Sequence, residues 1–457
     1  MLFNVILSLF YIISHLLTSI SIIFLLYIFY RSEIYHNGLL GVYYYKYYVL
    51  ASCIFFISIV SYFIPKSLKI NLSIIFLSFF IGLYIIEGYL NLESKKISIY
   101  KNRTGKDYDT RSRFDAYKDL KKINPNIVAS PHPVYFTDSF ETSPLSGIAN
   151  RTTFHCNENG YYSIYKSDRY GFNNPDLEWD KDITEFLLVG DSMTRGACVN
   201  EPNTISGNIK KKINNKNGVL NLGQSGNGPL RAYATLKEYL HLKSNKKIIW
   251  VYYEGNDLKE FNIELKHKTL IKYLNNKNFS QNLASRNDSI QKLLLSELNN
   301  IEKIMHLNEI ERKKLKRSQL MSFLILTKFR VIFFESLFHN SRAKKEIFPK
   351  KEFKKILQMA NELINENNAE LYFVYLPSFS RFQLFNNNDE FMHYKEVLNI
   401  VKKLKIPIID INKELFVKHK DPMELFPFRS NGHYNVKGYK FIAKKIFDRI
   451  IELEKIN

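Results

Sequence analysis

The apolar run Phe186-Leu187-Leu188-Val189 stops at Gly190-Asp191-Ser192-Met193-Thr194, and that junction leaves the chain few architectures. A short aliphatic run bounded by turn formers reads as a strand buried on both faces, the kind found in parallel sheets. Open α/β sheets carry their chemistry just past the carboxyl ends of such strands. Ser192 is therefore expected at a strand-to-helix turn, its hydroxyl toward solvent and backbone N–H groups ready to face an anion. Taken singly, Gly-Asp-Ser is ordinary turn chemistry.

The same alternation recurs downstream. Further strands are predicted over 219–222, 247–253, 371–376 and 407–411, with amphipathic helices over 353–365 and 394–404 and a closing helix from 436 to about 454. Five strand–helix units with short connections predict a parallel sheet flanked by helices.

Three more polar blocks punctuate this pattern. Asn221-Leu222-Gly223-Gln224-Ser225-Gly226-Asn227-Gly228-Pro229 follows the second strand, Glu254-Gly255-Asn256-Asp257 the third, and Asn431-Gly432-His433-Tyr434-Asn435-Val436-Lys437-Gly438 precedes the closing helix. In this order, the four blocks resemble the SGNH (GDSL-type) hydrolase superfamily over roughly residues 180–457. The resemblance implies an α/β fold with a flavodoxin-like parallel five-stranded sheet, and it implies catalytic roles for Ser192, Gly226, Asn256 and His433. The chemistry is coherent residue by residue. A serine hydroxyl needs a base to become a nucleophile, and an imidazole titrates near neutrality. An oxyanion needs preorganised donors, here the Gly226 N–H, the Asn256 amide and the Ser192 N–H. No metal or organic cofactor is implied.

One position departs from the family pattern. An Asp usually stands three residues before the His, where it orients the imidazole; here that residue is Ser430. Three readings stay open: a Ser–His dyad, an acid supplied from elsewhere with Asp421 and Glu424 just upstream, or a domain with little hydrolytic activity.

Residues 1–92 read as a membrane domain. Nearly uncharged apolar stretches over 4–30, 47–64 and 72–90 predict three transmembrane helices, the last interrupted only by Glu87. The expectation is a multi-pass membrane protein with an extracytoplasmic catalytic domain. Residues 93–180 are turn-rich and predict a stem with a small β-rich subdomain. Within the hydrolase-like segment 181–457, residues 259–350 form an insertion that predicts a helical cap; its apolar stretch 321–338 contains Lys328 and Arg330.

The formal charge of +21 is spread along the chain with no basic run interleaved with aromatics, so nucleic acid is not an expected partner. His155 and Cys156 lack a second ligand pair of suitable spacing and predict no metal site. Cys156 and Cys198 are the two cysteines outside the predicted spans, either paired or free. The expected function is a membrane-anchored serine esterase or acyltransferase acting on an acylated envelope carbohydrate. A catalytically weak glycan-binding or assembly protein and a lipid-directed lipase are the alternatives.

Overall fold

Three short strands, β1 (Val128–Ala129), β2 (Thr152–Phe154) and β3 (Ile164–Lys166), form a small sheet ahead of the Ser192 junction. Five more form the main sheet: β4 (Ile183–Val189), β5 (Gly218–Asn221), β6 (Ser244–Tyr253), β7 (Glu370–Leu376) and β8 (Ile408–Asp410). These elements belong to a computed structural model that describes residue 15 and residues 18–35, 41–91, 94–131, 142–317, 319–330, 347–383 and 391–455. The chain divides into two units, one drawing on residues 1–92 and 319–334, the other on 93–318 and 335–457.

In the second unit the main sheet runs in the order β5-β4-β6-β7-β8, with every neighbouring pair parallel. Alternate residues face opposite layers, as the period of a strand requires. Leu187, Val189, Ile248, Trp250, Phe373 and Tyr375 pack on the helices Pro229–Tyr239, Lys350–Glu366 and Tyr394–Lys403. Phe186, Leu188, Ile249, Val251, Tyr372 and Val374 pack on Ile205–Lys212 and Val436–Glu454. Each side chain so buried contributes about 1.5–3 kcal/mol, which is why the strands read as continuous apolar runs.

β4 and β6 begin earlier than their apolar runs, at Ile183 and Ser244. Pairing sets these ends: Ile183 lies opposite Ser244, and Lys247 meets Glu185 at 2.5 Å and Glu454 at 2.7 Å. The small sheet packs elsewhere in the same unit. Phe154 and Tyr117 share a buried cluster with Ile301 and Met305 of the helix Leu298–Arg317, and the Tyr117 hydroxyl donates to Glu302 at 2.8 Å. That part of the insertion thus covers the small sheet.

The first unit corrects the membrane expectation. Among the described residues no helix is long and apolar enough to cross a membrane, so neither the three transmembrane helices nor the multi-pass localisation stands. Of the stretch 4–30, residues 4–14, 16 and 17 lie outside the described residues; 18–29 are helical. The helix Gly41–Phe63 carries six tyrosines and Lys46, and Lys66–Asn91 carries Lys66, Lys69, Asn71 and Glu87. Aromatic rings make such segments look apolar, but phenols and charges dilute the hydrocarbon content that a span requires. Glu87 is fully buried and accepts the backbone N–H groups of Lys328 at 3.0 Å and Phe329 at 2.7 Å. The Tyr84 hydroxyl donates to the Leu324 carbonyl at 2.7 Å. Glu87 and Tyr84 of this helix therefore have protein partners in segment 319–330.

Candidate active site

β4 sits between β5 and β6: the chain passes from β4 to β5 on one side, then crosses back past β4 to β6 on the other. A crevice opens at the carboxyl ends of strands where the order reverses in this way. Ser192 starts the short helix Ser192–Arg195, which Asp191 caps by accepting the Met193 N–H at 2.8 Å. The loop after β5 carries Gly226, whose φ of +76° lies in the left-handed region that glycine enters without steric conflict. Past β6, Asn256 begins the helix Asp257–Glu264, but its side chain makes no capping bond and its Oδ1 is buried without a partner. His433 comes from the loop before Val436–Glu454.

The four residues line one cavity of about 380 Å³. His433 Nε2 lies 2.9 Å from Ser192 Oγ, within reach to accept the hydroxyl proton. On the other side of the ring, Nδ1 lies 3.0 Å from Glu158 Oε1, and the His433 backbone N–H donates to Glu158 Oε2 at 2.6 Å. Glu158 belongs to the connection between β2 and β3. It occupies the place of an orienting acid, which fixes the tautomer with Nε2 bare toward the serine. Gly432 makes room for it: a Cβ there would stand 2.6 Å from Glu158 Oε2.

The residues considered for that role lie elsewhere. Ser430 Oγ donates to the Phe428 carbonyl at 3.4 Å, Asp421 pairs with Arg429, and Glu424 pairs with Lys437 at 2.7 Å. No motif spacing singles out Glu158. A signal existed nonetheless in the cysteines: Cys156 and Cys198 form a disulfide, and Cys156 stands two positions before Glu158. Since the two sulfurs are bonded to each other, the neighbouring His155 and His433 rings have no thiolate with which to share a metal.

Electrostatics follow the geometry. Burial acts to lower the His433 imidazole, but the hydrogen bond and charge of Glu158, with Asp191 beyond, outweigh it and hold the ring above its ordinary 6.5. Burial likewise acts to raise Glu158, and its contacts with His433 override that and leave the carboxyl below the ordinary 4.5. Beneath the site, burial pushes both Asp191 and Asp257 up, and the charge of Asp191 raises Asp257 further. Asp257 accepts the Tyr253 N–H at 3.1 Å, which fixes the turn that presents Asn256.

No family model matches the chain, and no curated protein matches it significantly. Solved structures similar to it include a protein described as lipolytic, of the G-D-S-L family, from Desulfitobacterium hafniense DCB-2 (13% identity, TM-score 0.32, 57% of this chain and 97% of that one). Others are the psychrotrophic esterase EstA from Pseudoalteromonas sp. (10% identity, TM-score 0.31, 60% of this chain and 99% of that one) and the acetyl xylan esterase AlAXEase (10% identity, TM-score 0.32, 58% and 99%). Likeness at this level says nothing about chemistry, which follows from the chain's own residues.

Proposed function

We propose that this protein is a serine ester hydrolase or acyltransferase whose nucleophile is Ser192. The reading is carried by the relay Ser192 Oγ–His433–Glu158, with 2.9 Å and 3.0 Å between successive partners. His433 takes the serine proton as Oγ attacks the ester carbonyl, and Glu158 stabilises the imidazolium. The backbone N–H groups of Ser192 and Gly226 and the Asn256 amide receive the oxyanion. The alkoxide leaves with the proton from His433, and the acyl-enzyme is then resolved by water or by a second hydroxyl activated at the same ring.

The lining of the cavity supports a polar substrate. Arg113, Ser130, His155, Ser225 and Glu260 surround the nucleophile, and Pro131 is the one purely aliphatic side chain among the described lining residues. A long acyl chain would gain little by leaving water for such walls, whereas a polyhydroxylated alcohol finds hydrogen-bond partners. We assign it short acyl esters of sugars as the substrate class.

Two measurements test this reading. A fluorophosphonate probe is expected to label the wild type and not Ser192→Ala. Acetylated sugars and short p-nitrophenyl esters are expected to turn over faster than long-chain esters; a preference for palmitate over acetate contradicts the substrate class.

A further inference from the structure

We propose that the Cys156–Cys198 disulfide is a positioning element of the catalytic relay, holding Glu158 on His433, so that a dithiol reductant disarms Ser192. The inference rests on the serine-hydrolase reading and extends it to control of the same site.

Glu158 lies on no regular element. Residues 155–163 connect β2 to β3 without helix or strand, and a connection of that kind is the most easily displaced part of a fold. Several of its fastenings tie it to its own neighbourhood. Asn157 Nδ2 donates to the Asp109 carbonyl at 2.9 Å, the Gly160 N–H donates to Asn157 Oδ1 at 2.9 Å, and the Arg113 Nε–H donates to the His155 carbonyl at 3.0 Å. Toward the nucleophile segment, His155 Nε2 lies 3.4 Å from Arg195 Nη1, and two fastenings land on a single residue, Cys198: the disulfide itself, and Asn159 Nδ2 donating to the Cys198 carbonyl at 3.0 Å.

Cys198 is well suited to anchor the acid. It is fully buried, with φ of 60°, a left-handed conformation that non-glycine residues seldom adopt. The turn that carries it continues directly from the Ser192–Arg195 helix, and the Ala197 N–H donates to the Ser192 carbonyl at 2.9 Å. Cys198 Sγ also lies 3.9 Å from His433 Nδ1, the nitrogen that faces Glu158. One covalent bridge thus touches all three members of the relay: the turn of the nucleophile, the ring of the base, and the segment that bears the acid. Catalytic groups lose rate steeply when misplaced by as little as about 1 Å.

The redox step balances simply. The dithiol supplies two electrons and two protons, the S–S bond becomes two thiols, and the reductant closes to its own disulfide. Nothing else in the relay changes its covalent state.

A test must separate positioning from plain stability. The rate of fluorophosphonate labelling at Ser192 is measured across pH for the full-length protein, oxidised and treated with dithiothreitol, in wild type and in Glu158→Gln. Thermal melting is recorded for each sample. Reduction of the still-folded wild type is expected to slow labelling by about tenfold or more and to move the midpoint of the pH profile downward, with reoxidation restoring both. In Glu158→Gln, where no carboxylate remains to be positioned, reduction is expected to cause no further loss of rate. The double variant Cys156→Ala/Cys198→Ala should behave as the reduced wild type. Equal rates in oxidised and reduced wild type overturn the proposal, as does an undiminished fold-loss on reduction of Glu158→Gln. A wild type that never labels, oxidised or reduced, overturns the serine-hydrolase reading itself, so the two failures are told apart.

Discussion

The Glu158 carboxylate accepts two N–H groups from one residue, the Nδ1–H of His433 at 3.0 Å and its backbone N–H at 2.6 Å. Each oxygen has its own donor, so the acid fixes the orientation of the ring as well as its charge. The backbone contact ties Glu158 to the loop that carries the imidazole, whatever rotamer the ring adopts. The relay is in this way assembled from three distant segments: the turn after β4, the β2–β3 connection and the loop before the last helix.

Glu158→Gln is expected to keep the backbone contact and damage the one to the ring. With its Oε1 on the His433 N–H, the amide presents NH₂ to Nδ1 and stabilises the tautomer that carries the proton on Nε2. Such a ring cannot accept the Ser192 proton, and kcat should fall by about 10²–10⁴-fold. A variant retaining more than a third of wild-type turnover contradicts this role for Glu158.

The pH dependence has a definite sign. His433 must be neutral to act as base and is held above 6.5, so kcat/KM should rise with pH through a midpoint above that value. Removing the Glu158 charge leaves burial as the main influence, and the midpoint should fall. Stability runs with the pair. The raised His433 contributes fully below its unfolded value and loses its contribution as pH climbs through the folded one. The lowered Glu158 contributes above its unfolded value and loses it as pH falls through the folded one. The difference in Tm between wild type and Glu158→Gln should therefore be largest near pH 5–6, between about 4.5 and 6.5, and shrink by pH 9. A difference that grows toward pH 9 reverses the assignment.

Asn256→Ala removes an amide whose side chain does no capping work, so the fold should tolerate it. Because that donor is proposed to meet the oxyanion more strongly than the ground-state carbonyl, kcat is expected to drop by about 10²–10³-fold with KM little changed. Steady-state kinetics on a short ester read this directly; a rise in KM at constant kcat would make Asn256 a binding residue instead.

Much of the larger unit was legible because its strands are buried on both faces, and such strands appear in a sequence as uninterrupted apolar runs. Ser192, Gly226, Asn256 and His433 were nameable for a related reason: each follows a strand end or precedes a helix, where local motif and position coincide. Glu158 was not, since it lies in the loop that joins two strands of the separate small sheet, and only three-dimensional pairing brings it near His433. The Cys156–Cys198 bridge was the one clue in the chain, and sequence alone leaves it open. The first unit misleads in the opposite sense, because hydropathy carries no information about what Tyr84 and Glu87 bind. A buried carboxylate accepting two N–H groups at Lys328 and Phe329 marks protein packing, and no run of neighbouring letters reveals that.

Gly432→Ala offers a steric route to the same relay. The added methyl would stand 2.6 Å from Glu158 Oε2, so the carboxylate must move. The obstructed atom is the end of a side chain, so folding should survive with a loss of about 1 kcal/mol or less. Turnover should fall by about tenfold or more as the acid leaves Nδ1. Unchanged kcat with unchanged Tm means that Glu158 adapts freely, and its position would then matter little.

The buried pair Glu254–Arg381 should govern stability at the end of β6, with side chains 0% and 1% exposed. Glu254 accepts the Ser378 N–H at 2.7 Å, the Tyr375 hydroxyl at 2.7 Å and Arg381 Nε–H at 2.9 Å. It therefore fastens the turn holding Asn256 to the end of β7 and the segment beyond it. Glu254→Ala takes the carboxylate away from a buried guanidinium, and breaking a pair by removing one partner costs about 3–5 kcal/mol. Replacing both residues removes the buried charges together, so Glu254→Leu/Arg381→Met should recover part of that loss even though it makes no ion pair. Denaturant unfolding separates the two contributions. If the double variant is as unstable as the single one, the damage comes from the lost hydrogen bonds to Ser378 and Tyr375, and the ion pair has little to do with holding the Asn256 turn.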